Sequence, residues 1–154
     1  MRVHLNINEI SKLRLNESRV ELELAKVFLK SGLLKNAASK TIQAWRAYLS
    51  YLASVNSDLI KVGGFRRIRG NIKVNAGELI IVTMPIKLMM TIAEYLSCRD
   101  PELMELTALA LLIHEYWCAG TCSDNTGRVI DDEVAKGAMA KLITRLEKRL
   151  AQAG

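Results

Sequence analysis

The stretch ELELAKVFLKSGLLKNAASKTIQAWRAYLSYLA, residues 21–53, decides the fold. Apolar side chains recur at every third or fourth position on both sides of Ser31-Gly32, which is the spacing of a helix with one buried face. Glycine takes the left-handed conformation that ends a helix at little cost. Because the break is so short, the pattern predicts two long helices that lie antiparallel as a helical hairpin.

The two predicted helices extend beyond this stretch in both directions. Asn8 is the predicted N-cap of the first helix, since its side chain can accept a hydrogen bond from an unpaired amide of the first turn. The second helix is predicted over residues 34–55. The predicted core-facing stripe of the first helix is Ile10, Leu13, Val20, Leu24, Val27 and Phe28, and that of the second is Ala38, Ile42, Trp45, Leu49 and Leu52.

Three further helices are predicted in the second half of the chain. Pro85 suits the first turn of a helix, and Asp100-Pro101-Glu102 combines an N-cap, a proline and an acidic first turn. Predicted core-facing positions on these helices include Trp117 and Val134, and the last helix is expected over residues 128–151. The apolar LIIVTM before Pro85 is interpreted as a buried extended connection. We therefore predict an all-α fold, an up-and-down bundle of about five helices forming a single domain over residues 1–154.

Composition indicates a globular intracellular protein. The 154 residues are half hydrophobic and one quarter charged, and the longest uncharged stretch, residues 47–57, is too short to span a bilayer. The N-terminal residues lack the apolar core of a signal peptide, so a cytoplasmic location is expected. The odd set Cys98, Cys118 and Cys122 does not resemble a secreted disulfide framework, and buried thiols are expected, although cytosolic proteins of thermophiles do carry disulfides.

A basic, glycine-rich segment interrupts the helical pattern in the middle of the chain. The sequence KVGGFRRIRGNIKVNAG at residues 61–77 contains four glycines and no acidic residue. A small hairpin around Gly70-Asn71 and an irregular loop are both compatible with it. Its five cations can bind phosphate, with Phe65 as a stacking surface, or they can simply keep the loop solvated. The predicted phosphate-binding residues are Lys61, Arg66, Arg67, Arg69 and Lys73.

His114 is the candidate catalytic residue, because a neutral imidazole can act as a general base. It lies four residues before Cys118 and eight before Cys122, but a zinc site needs three or four ligands and no C-x-x-C pair is present. We expect no metal and no cofactor. Phosphate-binding loops, dinucleotide fingerprints, nucleophile elbows and H-E-x-x-H are also missing from the sequence.

The hairpin at residues 21–53 resembles the opening hairpin of the HEPN superfamily, and it is most similar to the archaeal paREP branch. The similarity lies in the turn formed by Gly32, Ala37 and Lys40, and in LIHEY at residues 112–116. The resemblance implies a helical bundle, a symmetric homodimer, a link to RNA or nucleotides, and a nucleotidyltransferase as a further partner. Superfamily ribonucleases carry R-x(4–6)-H, whereas residues 107–109 before His114 contain no arginine. This departure argues against ribonuclease activity.

Three functions remain open at this point. The favoured one is a non-catalytic module whose segment 61–73 binds nucleic acid or a nucleotide phosphate. An enzyme that uses His114 would need a nearby cation, for which Arg99 and Arg128 are the candidates. A helical partner protein would instead use an exposed apolar stripe, which serves a homodimer and a heteromer equally well.

Overall fold

The computed structural model describes residues 1–119 and 130–154. Within these residues the chain forms six α-helices and three short strands. The all-α helical-bundle prediction is confirmed, with the small sheet as an addition. In chain order the elements are β1 (Arg2–Val3), α1 (Ile7–Lys30), α2 (Leu34–Val55), β2 (Phe65–Arg69), β3 (Ile72–Asn75), α3 (Ala76–Thr83), α4 (Met89–Leu96), α5 (Leu103–Cys118) and α6 (Asp132–Gln152).

The residues fall into two compact units. The first comprises Met1–Asn16 and Arg46–Met104, and it contains the three strands. The second comprises Glu17–Trp45 and Glu105–Gly154, and it contains the turn of the helical hairpin and most of α5 and α6.

Helix α1 begins earlier than the sequence predicts, because its N-cap is Asn6 and not Asn8. The Asn6 side chain accepts a hydrogen bond from the Glu9 amide at 3.2 Å, and its own amide group donates to the Glu9 carboxylate at 3.3 Å. Asn6 therefore caps the helix through its side-chain oxygen, and its side-chain nitrogen binds the Glu9 carboxylate in addition. At the other end, Gly32 has a φ of 76° and the Leu33 amide reaches the Phe28 carbonyl, so the predicted glycine stop is present.

The predicted core-facing stripe of α1 is wrong. Leu13, Val20, Leu24 and Val27 are exposed, and the opposite side of the helix is buried. Small residues on that buried side let α1 approach α2 closely: Ser18 Oγ donates to the Ala44 carbonyl at 2.7 Å. The buried face of α1 consists of Ser11, Leu15, Ser18, Leu22 and Ala25.

Residues 76–83 form a helix, α3, and not the predicted extended connection. Asn75 caps it by accepting a hydrogen bond from the Glu78 amide at 3.1 Å, and Met84 ends it in the left-handed region with a φ of 38°. The cap and the burial of Ile80 and Ile81 outweigh the strand preference of the β-branched residues.

The carbonyls at the end of α3 are satisfied by side chains from α1 and α2. Arg46 donates to the carbonyls of Thr83 and Met84, at 2.7 and 2.8 Å, and Arg14 donates to the carbonyl of Val82. These bonds complete the last turn, whose carbonyls have no partners within the helix. Both arginines therefore have a structural role.

The last three helices, α4 to α6, largely agree with the prediction from the sequence. Two apolar residues that were predicted to be buried are exposed. Pro85 precedes a 3₁₀ turn that leads into α4, as its position suggested. Trp117 on α5 and Val134 on α6 are exposed, whereas both were predicted to face the core. The predicted start of the last helix at Arg128 lies outside the described residues, and α6 begins at Asp132 with Asp131 as its N-cap.

No single helix among residues 1–119 and 130–154 has the length and apolar character needed to cross a membrane. The segments Ala76–Thr83 and Ile86–Leu96 meet that requirement only when they are taken together, and the chain bends by 109° between them.

Candidate functional site

The basic segment forms a β-hairpin, which settles the alternative that the sequence left open. β2 and β3 pair antiparallel around the turn Gly70-Asn71, where Gly70 has a φ of 53°. Gly64 precedes β2 with a φ of 87°, and its carbonyl accepts the Ala76 amide at 2.9 Å. Such positive φ values favour glycine, so the glycines place the hairpin's strands rather than loosen the segment.

A third strand, β1, pairs parallel with β3 and completes the sheet in the order β1-β3-β2. Lys73 on the central strand lies opposite Arg2 on one side and opposite Arg67 on the other. Directly opposed residues on neighbouring strands project from the same face of a sheet. Arg2, Lys73 and Arg67 therefore form a line of three positive charges across the sheet, which we call the cation row.

The two faces of the sheet differ in exposure. Val74 is buried, whereas its neighbour Lys73 is exposed. Alternation along the strands then assigns each residue either to the face of Val74, which we call the covered face although its β2 residues are exposed, or to the open face of Lys73. The covered face carries Val3, Arg66, Arg69, Ile72 and Val74, and the open face carries Arg2, Phe65, Arg67, Lys73 and Asn75.

An aromatic ring accompanies the cation row on the open face. The Arg2 guanidinium carbon lies 4.3 Å from the centroid of the Phe65 ring, a cation–π contact. Phe65 is itself 40% exposed. An exposed ring beside several cations combines a stacking surface with phosphate-binding groups.

The surroundings of the sheet do not neutralise the cation row. Residues 1–8 and 59–77 contain no acidic residue. The acids that flank the second segment have other partners: Asp58 binds Arg99 at 2.7 Å, and Glu78 accepts the Leu5 amide at 3.1 Å. Within the described part of the chain, none of the three row cations forms an ion pair with a carboxylate.

The structure thus brings together only part of the predicted phosphate-binding set. Arg67 and Lys73 lie in the cation row, whereas Arg66 and Arg69 project from the other face, where they are also exposed because all of β2 is exposed. Lys61 lies in the loop before β2 and is exposed. Arg2 was not among the predicted residues, because a strand of two residues has no periodicity of its own and is placed only by its pairing with β3.

A simpler explanation of the basic residues is protection of a sheet edge. β2 is an edge strand with a register shift between Arg67 and Arg69, and charges and bulges commonly discourage pairing between edges. This explanation fits Arg66, Arg67 and Arg69. It does not fit Lys73, which lies on the central strand and has a like charge directly opposite on each side. Such like-charged pairs are destabilising.

His114, the predicted catalytic residue, lies on α5 in the second unit, whereas the cation row lies in the first. Its ring stacks on Trp117 with centroids 5.9 Å apart, and its Nε2 lies 3.5 Å from the sulfur of Cys118. Of the two cations considered for an enzyme, Arg99 donates to both carboxylate oxygens of Asp58 and to Asn56. Arg128 lies outside the described residues.

The cysteines do not form a metal site with His114 in the described part of the chain. That part contains no group of three or more His, Cys, Asp or Glu side chains able to hold a metal ion. Cys98 is a free, exposed thiol, so the expectation of a buried thiol is wrong for this residue. Cys118 is buried as expected, but it is disulfide-bonded, which is the alternative that the sequence left open. Cys122 lies outside the described residues.

A second polar cluster, which no sequence pattern predicts, lies where α5 ends. The Tyr116 hydroxyl donates to Asp132 at 2.7 Å, and the Lys35 ammonium lies 3.7 Å from the centroid of the Tyr116 ring. Lys35 also donates to the Tyr116 carbonyl. Burial and the neighbouring carboxylate raise the pKa of Tyr116 to about 12. Because these contacts join the ends of three helices, the cluster has a structural role.

The sequence model of the archaeal PaREP1/PaREP8 family matches residues 13–136 of the chain. The match covers most of the chain and includes the helical hairpin and the β2–β3 hairpin. No curated protein and no solved structure shows significant similarity to it.

Proposed function

The chain belongs to the archaeal PaREP1/PaREP8 family, and we propose that it is a non-catalytic module of HEPN type that binds nucleic acid through the open face of its sheet. The observation that carries the proposal is the cation row. Lys73 faces two arginines across the sheet, and no carboxylate of residues 1–119 and 130–154 pairs with any of the three, an arrangement that costs stability unless an anion binds there.

The extent of the row favours a polymer over a single phosphate group. Adjacent strands are about 4.8 Å apart, so the three cations span about 10 Å at their backbone positions. A nucleic-acid backbone presents successive phosphates over such a distance. Phe65 adds a ring on which a base can stack, which favours a single strand with accessible bases.

Catalysis is not part of this proposal. His114 lies in the other unit from the cation row, and Arg99 is held by Asp58. A ribonuclease would need a cation beside the histidine to stabilise the developing charge on phosphate. The helical hairpin, with Gly32 at its turn, supports the HEPN-type part of the proposal.

The test compares two triple variants of equal charge. Arg2→Ala, Arg67→Ala and Lys73→Ala remove the cation row, whereas Lys61→Ala, Arg66→Ala and Arg69→Ala remove three cations outside it. Fluorescence anisotropy with labelled single-stranded and duplex oligonucleotides, of DNA and of RNA, measures binding at several salt concentrations. Circular dichroism of both variants checks that they are folded.

We expect the wild type to bind, with an affinity that falls steeply as salt is raised. Loss of the cation row should abolish binding at moderate salt and lower the slope of log K against log salt by roughly 2 to 3, or about 0.7–0.9 for each lost phosphate contact. The control triple variant should keep most of the affinity. No binding by the wild type at low salt, or equal losses in the two variants, contradicts the proposal.

A further inference from the structure

Helix α1 carries two apolar stripes on opposite sides. One is the buried face built around Leu15 and Leu22. The other, which we call the outer stripe, consists of four large apolar side chains with exposed fractions of 38–63%. Successive residues are rotated by about 100° around the helix axis. The four side chains of the outer stripe therefore lie within an arc of about 60° on the side opposite the buried face. Its members are Leu13, Val20, Leu24 and Val27.

The outer stripe has the spacing of a helix that pairs with another helix. Leu13, Val20 and Val27 are seven residues apart, and Leu24 follows Val20 by four. A seven-residue repeat with alternating steps of three and four is the pattern of a coiled-coil seam. Ile10 and Glu17 occupy the remaining seam positions.

We propose that the outer stripe pairs with the same stripe of a second copy of the chain, with the two α1 helices antiparallel. Glu17 determines the direction. In a parallel pair, the two copies of Glu17 would face each other in the seam, and like charges at such a position oppose pairing. In the antiparallel arrangement each Glu17 faces an apolar residue of the partner instead.

One antiparallel register matches every seam position. It places Ile10 against the partner's Val27, Leu13 against the partner's Leu24, and Glu17 against the partner's Val20. In the same register Glu9 comes close to the partner's Lys30 at each end, which adds two attractive charge pairs. A two-fold axis generates each of these contacts twice, as in most homodimers.

The nearly balanced charge of α1 allows the outer stripe to pair with α1 of a second copy of the chain. The helix carries five basic and four acidic residues, so two copies can approach with little net repulsion. The sheet, with its cation row and no acids, would repel a copy of itself. Self-association through α1 therefore leaves the sheet free for an anionic ligand.

The test measures the assembly state of the full chain by sedimentation equilibrium over a range of concentrations. The wild type should dimerise. Val20→Lys and Val27→Lys together should raise the dimer dissociation constant by a factor of roughly 30 or more, because they place charges in the seam. The control combines Val55→Lys and Val134→Lys, two equally exposed valines outside the stripe, and it should dimerise as the wild type does.

Cysteine cross-linking then tests direction and register in a background that carries Cys98→Ser. A mixture of Leu13→Cys and Leu24→Cys chains should form a disulfide-linked heterodimer under mild oxidation, whereas Leu13→Cys alone should not cross-link. Cross-linking of Leu13→Cys to itself indicates a parallel pair and overturns the proposal. A wild type that stays monomeric at the highest concentration also overturns it.

Discussion

Arg2 lies 4.3 Å from the ring of Phe65, although 63 positions separate the two residues in the sequence. The contact exists because β1 joins the hairpin through β3 and presents Arg2 on the same face as the ring. β1 thereby adds a cation to those of the basic segment, so that all three strands contribute cations to one surface.

The cation row should lower the stability of the protein. Lys73→Glu places a carboxylate opposite both Arg2 and Arg67, so we expect the free energy of unfolding to rise by about 0.5–1 kcal/mol, measured by urea denaturation. Oligonucleotide affinity should fall at the same time by at least roughly tenfold, since one contact is lost and a repulsive charge is added.

Lys61→Glu is the matched control, because it makes the same charge change in the loop before β2. It should leave the stability almost unchanged and weaken binding far less. If Lys73→Glu destabilises the protein, the row has a structural role; if it stabilises the protein but binding is unaffected, the open face is not the binding surface.

The N-cap of α1 allows a paired test at two neighbouring asparagines. Asn6→Ala removes both side-chain hydrogen bonds between Asn6 and Glu9 and should lower the free energy of unfolding by about 1 kcal/mol. Asn8→Ala falls inside the helix, where alanine is the better residue, and should be neutral or slightly stabilising. Thermal or urea unfolding of the two variants distinguishes the positions, and the reverse order would restore Asn8 as the cap.

Sequence periodicity predicts the helices well but does not tell which side of α1 is buried. The second helix has the predicted bounds, Leu34–Val55, because its apolar face is continuous. Two stripes on α1 satisfy the same spacing. Close approach to α2 selects the one with Ser11, Ser18 and Ala25, and small residues contribute little to a hydrophobic pattern.

The candidate site was predictable only in part, for a related reason. The glycines and cations of residues 61–77 mark a special segment, and Gly70-Asn71 marks a turn. The division of the cations between two faces depends on strand register. The contribution of Arg2 depends on a parallel pairing between distant segments, for which the sequence carries no local signal.

A buried hydrogen bond between Trp45 and Thr107 should contribute measurably to stability. The indole N–H donates to the Thr107 hydroxyl at 3.1 Å, and both residues are fully buried. Thr107→Val keeps the shape but leaves the indole without this acceptor, so we expect a loss of about 1–3 kcal/mol in urea denaturation.

Thr41→Val is the matched control for that substitution. Thr41 is equally buried, but its hydroxyl donates to the carbonyl of Ala37, which also has its helical partner. Removal of the hydroxyl therefore leaves no group unpaired, and the change in stability should be small. Equal losses at the two positions would show that the Trp45 bond adds nothing.

Tyr116 should make the protein less stable at high pH. Burial, together with the hydrogen bond to Asp132 and the charge of that carboxylate, raises its pKa to about 12, whereas an unfolded tyrosine has a pKa of about 10. The folded state thus holds the phenolic proton more tightly. This contribution is fully present below pH 10 and is lost as the pH rises from about 10 to 12, to a total of roughly 1 to 2 kcal/mol, because solvent screens the partly exposed hydroxyl.

Tyr116→Phe isolates this effect, because it keeps the ring beside Lys35 and removes only the titrating hydroxyl. The difference in unfolding free energy between wild type and variant should be nearly constant at neutral pH and should shrink as the pH rises through 10–12. Other groups titrate equally in both proteins and cancel in the difference. Tyr95→Phe serves as the control, and a difference for Tyr116→Phe that does not change with pH would mean that the Asp132 contact does not hold the proton.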